Sequence, residues 1–190
     1  MTKSETEGQR TISQGRRDAM AQCLAAMLTG TYLGLSGQTK ASSTPMTSLA
    51  DDETFMRMAL AEAKQGDFPF GAVIVRDGRP LASGHNLSKT DHDPTAHGEM
   101  VAIRRFVASN PADSLKGATL YTTGEPCPMC MGAILWCGFG RLVFAASIGE
   151  LTTKLGQIDI RSRTIAEAAP FARISITGGV LAAEALELFP

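Results

Sequence analysis

His97-Gly98-Glu99 and, much further along the chain, Pro126-Cys127-Pro128-Met129-Cys130 limit the possible folds more than any other feature. They offer one imidazole and two thiols, the donor types that bind a borderline-soft metal ion, and one carboxylate beside them. Any fold that uses this set must bring two distant segments to one point. The chain has 190 residues, enough for one domain with its own core plus an extension.

Zinc prefers tetrahedral nitrogen and sulfur ligands, and a catalytic site keeps its fourth position for water. His97, Cys127 and Cys130 are the three expected ligands. Cys127 and Cys130 stand three apart, so both sulfurs can reach one ion from the first turn of a helix. There the helix dipole and unpaired N–H groups favour thiolates. Two thiolates balance the charge of the ion, and the bound water still acidifies to a pKa of about 7. Glu99 follows His97 by two, about 200° around a regular helix, so the pair cannot share a metal in regular geometry. At an irregular first turn Glu99 can lie beside the water as a proton shuttle. A structural zinc site would need a fourth Cys or His. Cys137, His85 and His92 are available, but none sits in a second paired motif.

The globular part is expected over residues 51–190. A capped amphipathic helix begins at Asp52-Glu53 and ends at Gly66. Phe70 to Val75 reads as a buried strand, Asp77-Gly78 as a hairpin turn and Leu81 to Asn86 as the return strand. Ala96 to Val107 is helical, Ala118 to Thr122 a strand, and Pro128 to Cys137 a helix with proline harmless at its start. Strands at Leu142 to Ala146 and Arg173 to Thr177 follow, with a less defined region between them, and Leu181 to Phe189 is a terminal helix. The order implies an α/β fold, a mixed five-stranded sheet with helices on both faces in a three-layer α/β/α sandwich.

Residues 1–50 differ in character. Arg16-Arg17 precede an uncharged stretch from Ala19 to Thr39 that is moderately apolar, followed by small residues such as Thr39-Lys40-Ala41. This has the form of a twin-arginine signal peptide over 1–41, with a spacer over 42–50, and predicts an exported or periplasmic protein. The alternative is an ordinary N-terminal segment on a cytoplasmic protein. The apolar part is too short and too interrupted by Gly, Thr and Gln for a stable membrane span.

The chain resembles the cytidine/deoxycytidylate deaminase superfamily, in the branch of guanine deaminases, tRNA adenosine deaminases and fungal-type cytosine deaminases. The segments that carry the resemblance are Pro69-Phe70-Gly71-Ala72-Val73-Ile74-Val75, Gly84-His85-Asn86, Asp93 to Glu99, and Gly124 to Ile134. The resemblance implies a cytidine deaminase-like fold, a homodimer and a Zn2+-dependent release of ammonia from a ring carbon. It also implies that Asn86 and the Ala72 backbone contact the substrate base. Phe70 is either core or a wall against the base. Trp136 is similar to a guanine deaminase position and is a further candidate substrate contact. Asp159 is the candidate for the acidic residue that guanine enzymes place after the last motif strand. The end, Leu186 to Pro190, does not clearly supply their C-terminal aromatic. Gly98 stands where guanine and tRNA enzymes commonly have Ala.

The net charge is −1. From Arg141 to the end, Arg141, Lys154, Arg161, Arg163 and Arg173 are matched by Glu150, Asp159, Glu167, Glu184 and Glu187. Phosphate contacts need a surplus of Lys or Arg, so the expected partner is a small nucleobase or nucleoside, guanine first, and no nucleic acid. tRNA adenosine deamination, cytosine deamination and a non-catalytic heterocycle-binding zinc protein are the alternatives.

Overall fold

The computed structural model describes residues 48–190. Arg16-Arg17, the expected signal over 1–41 and most of the expected spacer lie outside the described residues. No described helix is long and apolar enough to cross a membrane.

Helix α1 (Leu49–Ala63) starts two residues before the expected domain boundary. The Ser48 side chain accepts from the Asp51 N–H while the Asp51 carboxylate accepts from the Ser48 N–H, a reciprocal cap that satisfies two groups a helix start leaves bare. Its buried side chains Phe55, Met56, Ala59, Leu60 and Ala63 recur every three or four residues and form one apolar stripe. Strand β1 (Gly71–Arg76) runs beneath that stripe and turns into β2 (Arg79–His85). Asp77 and Gly78 both have positive φ, 51° and 71°, as a two-residue hairpin matched to strand twist requires. The register shifts between Ile74 and Val75, placing Pro80 opposite Val75. Pro80 is tolerated because β2 is an edge strand.

Helix α2 (Gly98–Val107) returns over the sheet, and β3 (Thr119–Gly124), α3 (Pro128–Trp136) and β4 (Arg141–Ala146) form a parallel β–α–β crossover unit. Two short helices, α4 (Ile148–Leu151) and α5 (Ser162–Glu167), fill the region the sequence left undefined, before β5 (Ser175–Gly178) and α6 (Ala182–Leu186). The five strands lie in the order β2-β1-β3-β4-β5. β1 is antiparallel to β2 and β3, while β3, β4 and β5 are mutually parallel. Alternate side chains go to opposite faces. Ala72, Ile74, Leu120, Leu142 and Phe144 pack with α2 and α3, whereas Val73, Val75, Tyr121, Val143 and Ala145 pack with α1 and the C-terminal segment. The expected sandwich is therefore present, with the central parallel strands β3 and β4 buried on both sides and the edge strand β5 more exposed.

The element ends differ from expectation for local reasons. α2 begins at Gly98, not Ala96, because the Ala96 carbonyl accepts from the Leu87 N–H at 2.9 Å and His97 is extended at φ −70°, ψ 156°. β5 starts at Ser175, not Arg173, since its parallel register to β4 opens with Ser175 opposite Arg141. The terminal helix is shortened: Leu181 has φ 56°, and Phe189 lies beyond the helix end.

A buried polar interaction ties α1 to the centre of the sheet. Asp52 on α1 is only 3% exposed and receives both Arg141 terminal nitrogens at 2.7 Å and the Tyr121 hydroxyl at 2.8 Å. The paired geometry offsets the desolvation of the carboxylate. Asp52→Ala removes the carboxylate from a partly buried Arg141 and is expected to lower unfolding stability by about 2–3 kcal/mol, read from urea denaturation.

Candidate active site

The His97 Nδ1 atom is 3.5 Å from Cys130 Sγ and 3.7 Å from Cys127 Sγ. All three donor atoms lie within 4.8 Å of one another. Nitrogen and sulfur ligands on one tetrahedral zinc-sized ion stand about 3.6 Å apart, given bonds of about 2.0–2.3 Å. The trio therefore fits a single such ion.

Two helix starts bring these atoms together. His97 is the N-cap of α2, and Cys127 is the N-cap of α3 with Pro128 next. As caps, both have extended backbones, so their side chains project off the helix ends and not along their sides. Cys130 lies one turn into α3 and is buried. This resolves the Glu99 geometry: α2 begins only after His97, so the rotation expected between two helical residues does not apply.

Hydrogen bonding from the Cys130 thiol, then from His97 and the Cys130 N–H, draws the Cys127 thiol down to about 4. That same bond, together with burial, pushes the Cys130 thiol well above its usual range. His97 is raised, chiefly by its hydrogen bond to Cys127, with Glu99 adding a smaller pull. A cation at the centre would hold both sulfurs as thiolates. Glu99 is 4% exposed, and burial pushes its carboxyl above the ordinary range. It lies close enough to Cys130 for a hydrogen bond between the side chains.

Asn86, at the end of β2, is buried next to this centre. Its N–H donates to the Phe70 carbonyl at 2.9 Å, and a Cβ on Gly98 would lie 2.8 Å from that same oxygen. Glycine at 98 thus lets the start of α2 press onto the Phe70-Gly71 backbone. Phe70 is half-buried, lies over Gly124, and meets the Phe189 ring edge-on with centroids 5.1 Å apart. Ala72 is fully buried inside β1, in register with Gly84 on one side and Thr122 on the other.

Trp136 and Asp159 are not gathered with this group. Trp136 lies six residues past Cys130, about 9 Å along α3 at 1.5 Å per residue. It is 78% exposed and stacks on Phe171 at 4.5 Å. Asp159 is exposed and lies 4.0 Å from Arg161.

Three supporting residues escaped the sequence reading. Glu125, buried between β3 and the first Cys, accepts from the Ile148 N–H at 2.9 Å and the Ser162 N–H at 2.8 Å, tying the ligand loop to α4 and α5. The Thr123 hydroxyl accepts from the Gly71 N–H and donates to the Pro69 carbonyl, both at 3.1 Å. Phe189 closes against Phe70. A carboxylate between a buried strand end and Pro126 was a readable signal for Glu125; nothing local marked Thr123, and Phe189 lies in the C-terminal segment whose aromatic the sequence left unassigned. Ahead of His97, Asp93 binds the Thr95 N–H at 2.8 Å, and Arg104 on α2 reaches Asp93 at 2.9 Å, which holds the ligand loop against its own helix.

Cys127→Ser and Cys130→Ser are each expected to lose bound metal in atomic absorption measurements. Cys137→Ser, at the far end of α3, is expected to keep it.

The model of the cytidine and deoxycytidylate deaminase zinc-binding region matches residues 49–146, just over half of the chain. Guanine deaminase of Bacillus subtilis is 46% identical over 99 residues, covering 50% of this chain and 64% of that protein, slightly under two thirds of its length. The tRNA-specific adenosine deaminase of Haemophilus influenzae is 41% identical over 138 residues, covering 70% of this chain and 78% of that protein. A solved structure from a study of A-to-I editing by tRNA:A34 deaminases superposes with a TM-score of 0.60 at 31% identity, covering 72% of this chain and 99% of that one. The matched region runs from the first residue of α1 to the last of β4 and so contains both halves of the ligand trio. On that ground, the chain belongs to the cytidine and deoxycytidylate deaminase family.

Proposed function

We propose that this protein is a hydrolytic zinc deaminase of a small amino-substituted heterocycle, a free nucleobase or nucleoside, and that it releases ammonia. The observation that carries the reading is a buried carboxyl, Glu99, beside a His97–Cys127–Cys130 set spaced for one ion. Zinc held there would acidify water and direct it at the amino-bearing ring carbon.

The chain's own groups account for the proton traffic. Glu99 takes a proton from the attacking water and passes it to the ring nitrogen next to that carbon. It then carries the second proton to the departing amine, so water and amino-heterocycle become oxo-heterocycle and ammonia. Burial suits Glu99 to this work, because a carboxyl raised above its ordinary range holds a proton more readily than an exposed one and can return it. Asn86, whose backbone is held against the start of α2 through the Phe70 carbonyl, and Phe70, with Phe189 against its ring, would orient the substrate ring.

The relatives do not separate the substrates, since guanine and tRNA adenosine deaminases match at comparable identity. The balanced charge of the C-terminal portion favours a small base, and guanine is the first to test. Adenosine in a tRNA anticodon is the second reading, supported by the tRNA-specific relatives. Ammonia release from guanine, adenine, cytosine and their nucleosides, set against an anticodon stem-loop RNA, decides between them; turnover of the RNA alone sinks the small-base reading.

Glu99→Ala is expected to abolish turnover, a loss of at least about a hundredfold, while zinc content stays at the wild-type level. Loss of metal in that variant would remove the proton-shuttle role. Export through Arg16-Arg17 and homodimer formation also belong to this proposal. Arg16→Lys/Arg17→Lys should retain the protein in the cytoplasmic fraction, and an unchanged distribution would refute the signal.

A further inference from the structure

We propose that Ser88 locks the Asn86 amide in one orientation, so that the site presents only an N–H2 donor to the substrate edge. The site then selects heterocycles that carry an acceptor there, a ring nitrogen or a carbonyl oxygen. This rests on the reading of the chain as a base deaminase and specifies which edge chemistry it accepts.

Asn86 is 3% exposed. Its Oδ1 accepts from the Ser88 N–H at 3.0 Å and from the Ser88 hydroxyl at 2.8 Å. A backbone N–H can only donate, so the amide atom facing it must be the oxygen, and the flipped amide would set donor against donor. With both lone-pair directions of Oδ1 engaged, Nδ2 is the part of the amide left for a ligand. Among the described residues, nothing accepts from it.

The residue that carries this donor is held by its backbone against the segment that bears His97. The Asn86 N–H is bonded to the Phe70 carbonyl, which the start of α2 touches at Gly98, and the Leu87 N–H is bonded to Ala96. Asn86 is thereby bracketed by the residues on either side of His97. An unlocked asparagine could rotate its amide and read donor or acceptor alike; this one is held to a single sense. A ring N–H or amino group at that edge would meet a donor with no acceptor between them, a mismatch that sites of this kind reject strongly.

Ser88 is a positioning residue, and the test uses a readout that a purely structural role would not move. Ser88→Ala keeps the backbone N–H and removes the hydroxyl; it is expected to raise KM about threefold to tenfold while kcat and zinc content hold. Ser88→Thr, which restores the hydroxyl, should recover KM. Asn86→Ala is then compared with wild type on the best substrate and on analogues that each lack one acceptor yet keep the ring nitrogen protonated in the reaction: the 7-deaza purines, 3-deazaadenine and, for guanine, 2-aminopurine. One analogue should lose about tenfold or more in kcat/KM with wild type and little further with Asn86→Ala, because the contact it lacks is already gone. An unchanged KM in Ser88→Ala, or an Asn86→Ala variant that keeps the wild-type ranking of every analogue, overturns the proposal. If wild type releases ammonia from no free base, the small-base reading fails separately. The same analogue comparison is then made by calorimetric binding and on anticodon RNA carrying deaza-adenosine, where the same two outcomes apply.

Discussion

The Phe70 carbonyl is where the two halves of the candidate site are held together. It accepts the Asn86 N–H from β2, and the backbone of Gly98 packs against it from α2. The approach of α2 needs a glycine there. A Cβ on Gly84 would come within 2.5 Å of the Ala102 nitrogen, so the edge strand and α2 are in backbone contact on that side too. Gly71 is pressed in the same way from the opposite face, where a Cβ would meet the α1 backbone at Ala59 and Ala63. The glycines of β1, β2 and α2 therefore permit helix–sheet distances too short for side chains, and those distances set where His97 and Asn86 stand.

From that junction the ligand geometry follows. The parallel strand β3 ends at Gly124 and delivers Cys127 to the start of α3, while the loop held by Asp93 and Arg104 delivers His97 to the start of α2. Both helix starts face the same point, where their unpaired N–H groups favour thiolate and carboxylate. Glu125 braces this arrangement from behind with hydrogen bonds to two later segments. Ligands placed beyond the carboxyl ends of parallel strands follow the general habit of open α/β sheets.

Most of the fold was legible because the strands are short, nearly continuous apolar runs bounded by turn signals. Val73 and Val75 against Ala72 and Ile74, and Tyr121 and Val143 against Leu120 and Leu142, separate into two buried faces as a period of two requires. The hairpin was legible from Asp77-Gly78. The element ends were less so, because partners decide them: the Ala96 carbonyl goes to Leu87, and β5 starts where β4 gives it a register. The C-terminal end was the least legible. Its short apolar run suits a helix up to Phe189, yet the left-handed turn at Leu181 and the packing of Phe189 on Phe70 cut the helix short.

The sequence by itself determined the donor set, since imidazole, two thiols and a carboxyl at that spacing carry their metal chemistry and their proton chemistry in the side chains. It also determined the layered fold, because periodicity in apolar residues is a local property. Tertiary structure alone decided which candidates share the site. Phe70 and Phe189 meet because a strand start and the chain terminus converge, whereas Trp136 and Asp159 stand apart on exposed surface. It alone decided which way the Asn86 amide faces, because that depends on a hydrogen bond to Ser88 that composition and spacing do not encode. The physical reason is common to all of these: a side chain's chemistry is intrinsic, but its direction and its neighbours come from backbone contacts between segments far apart in the chain.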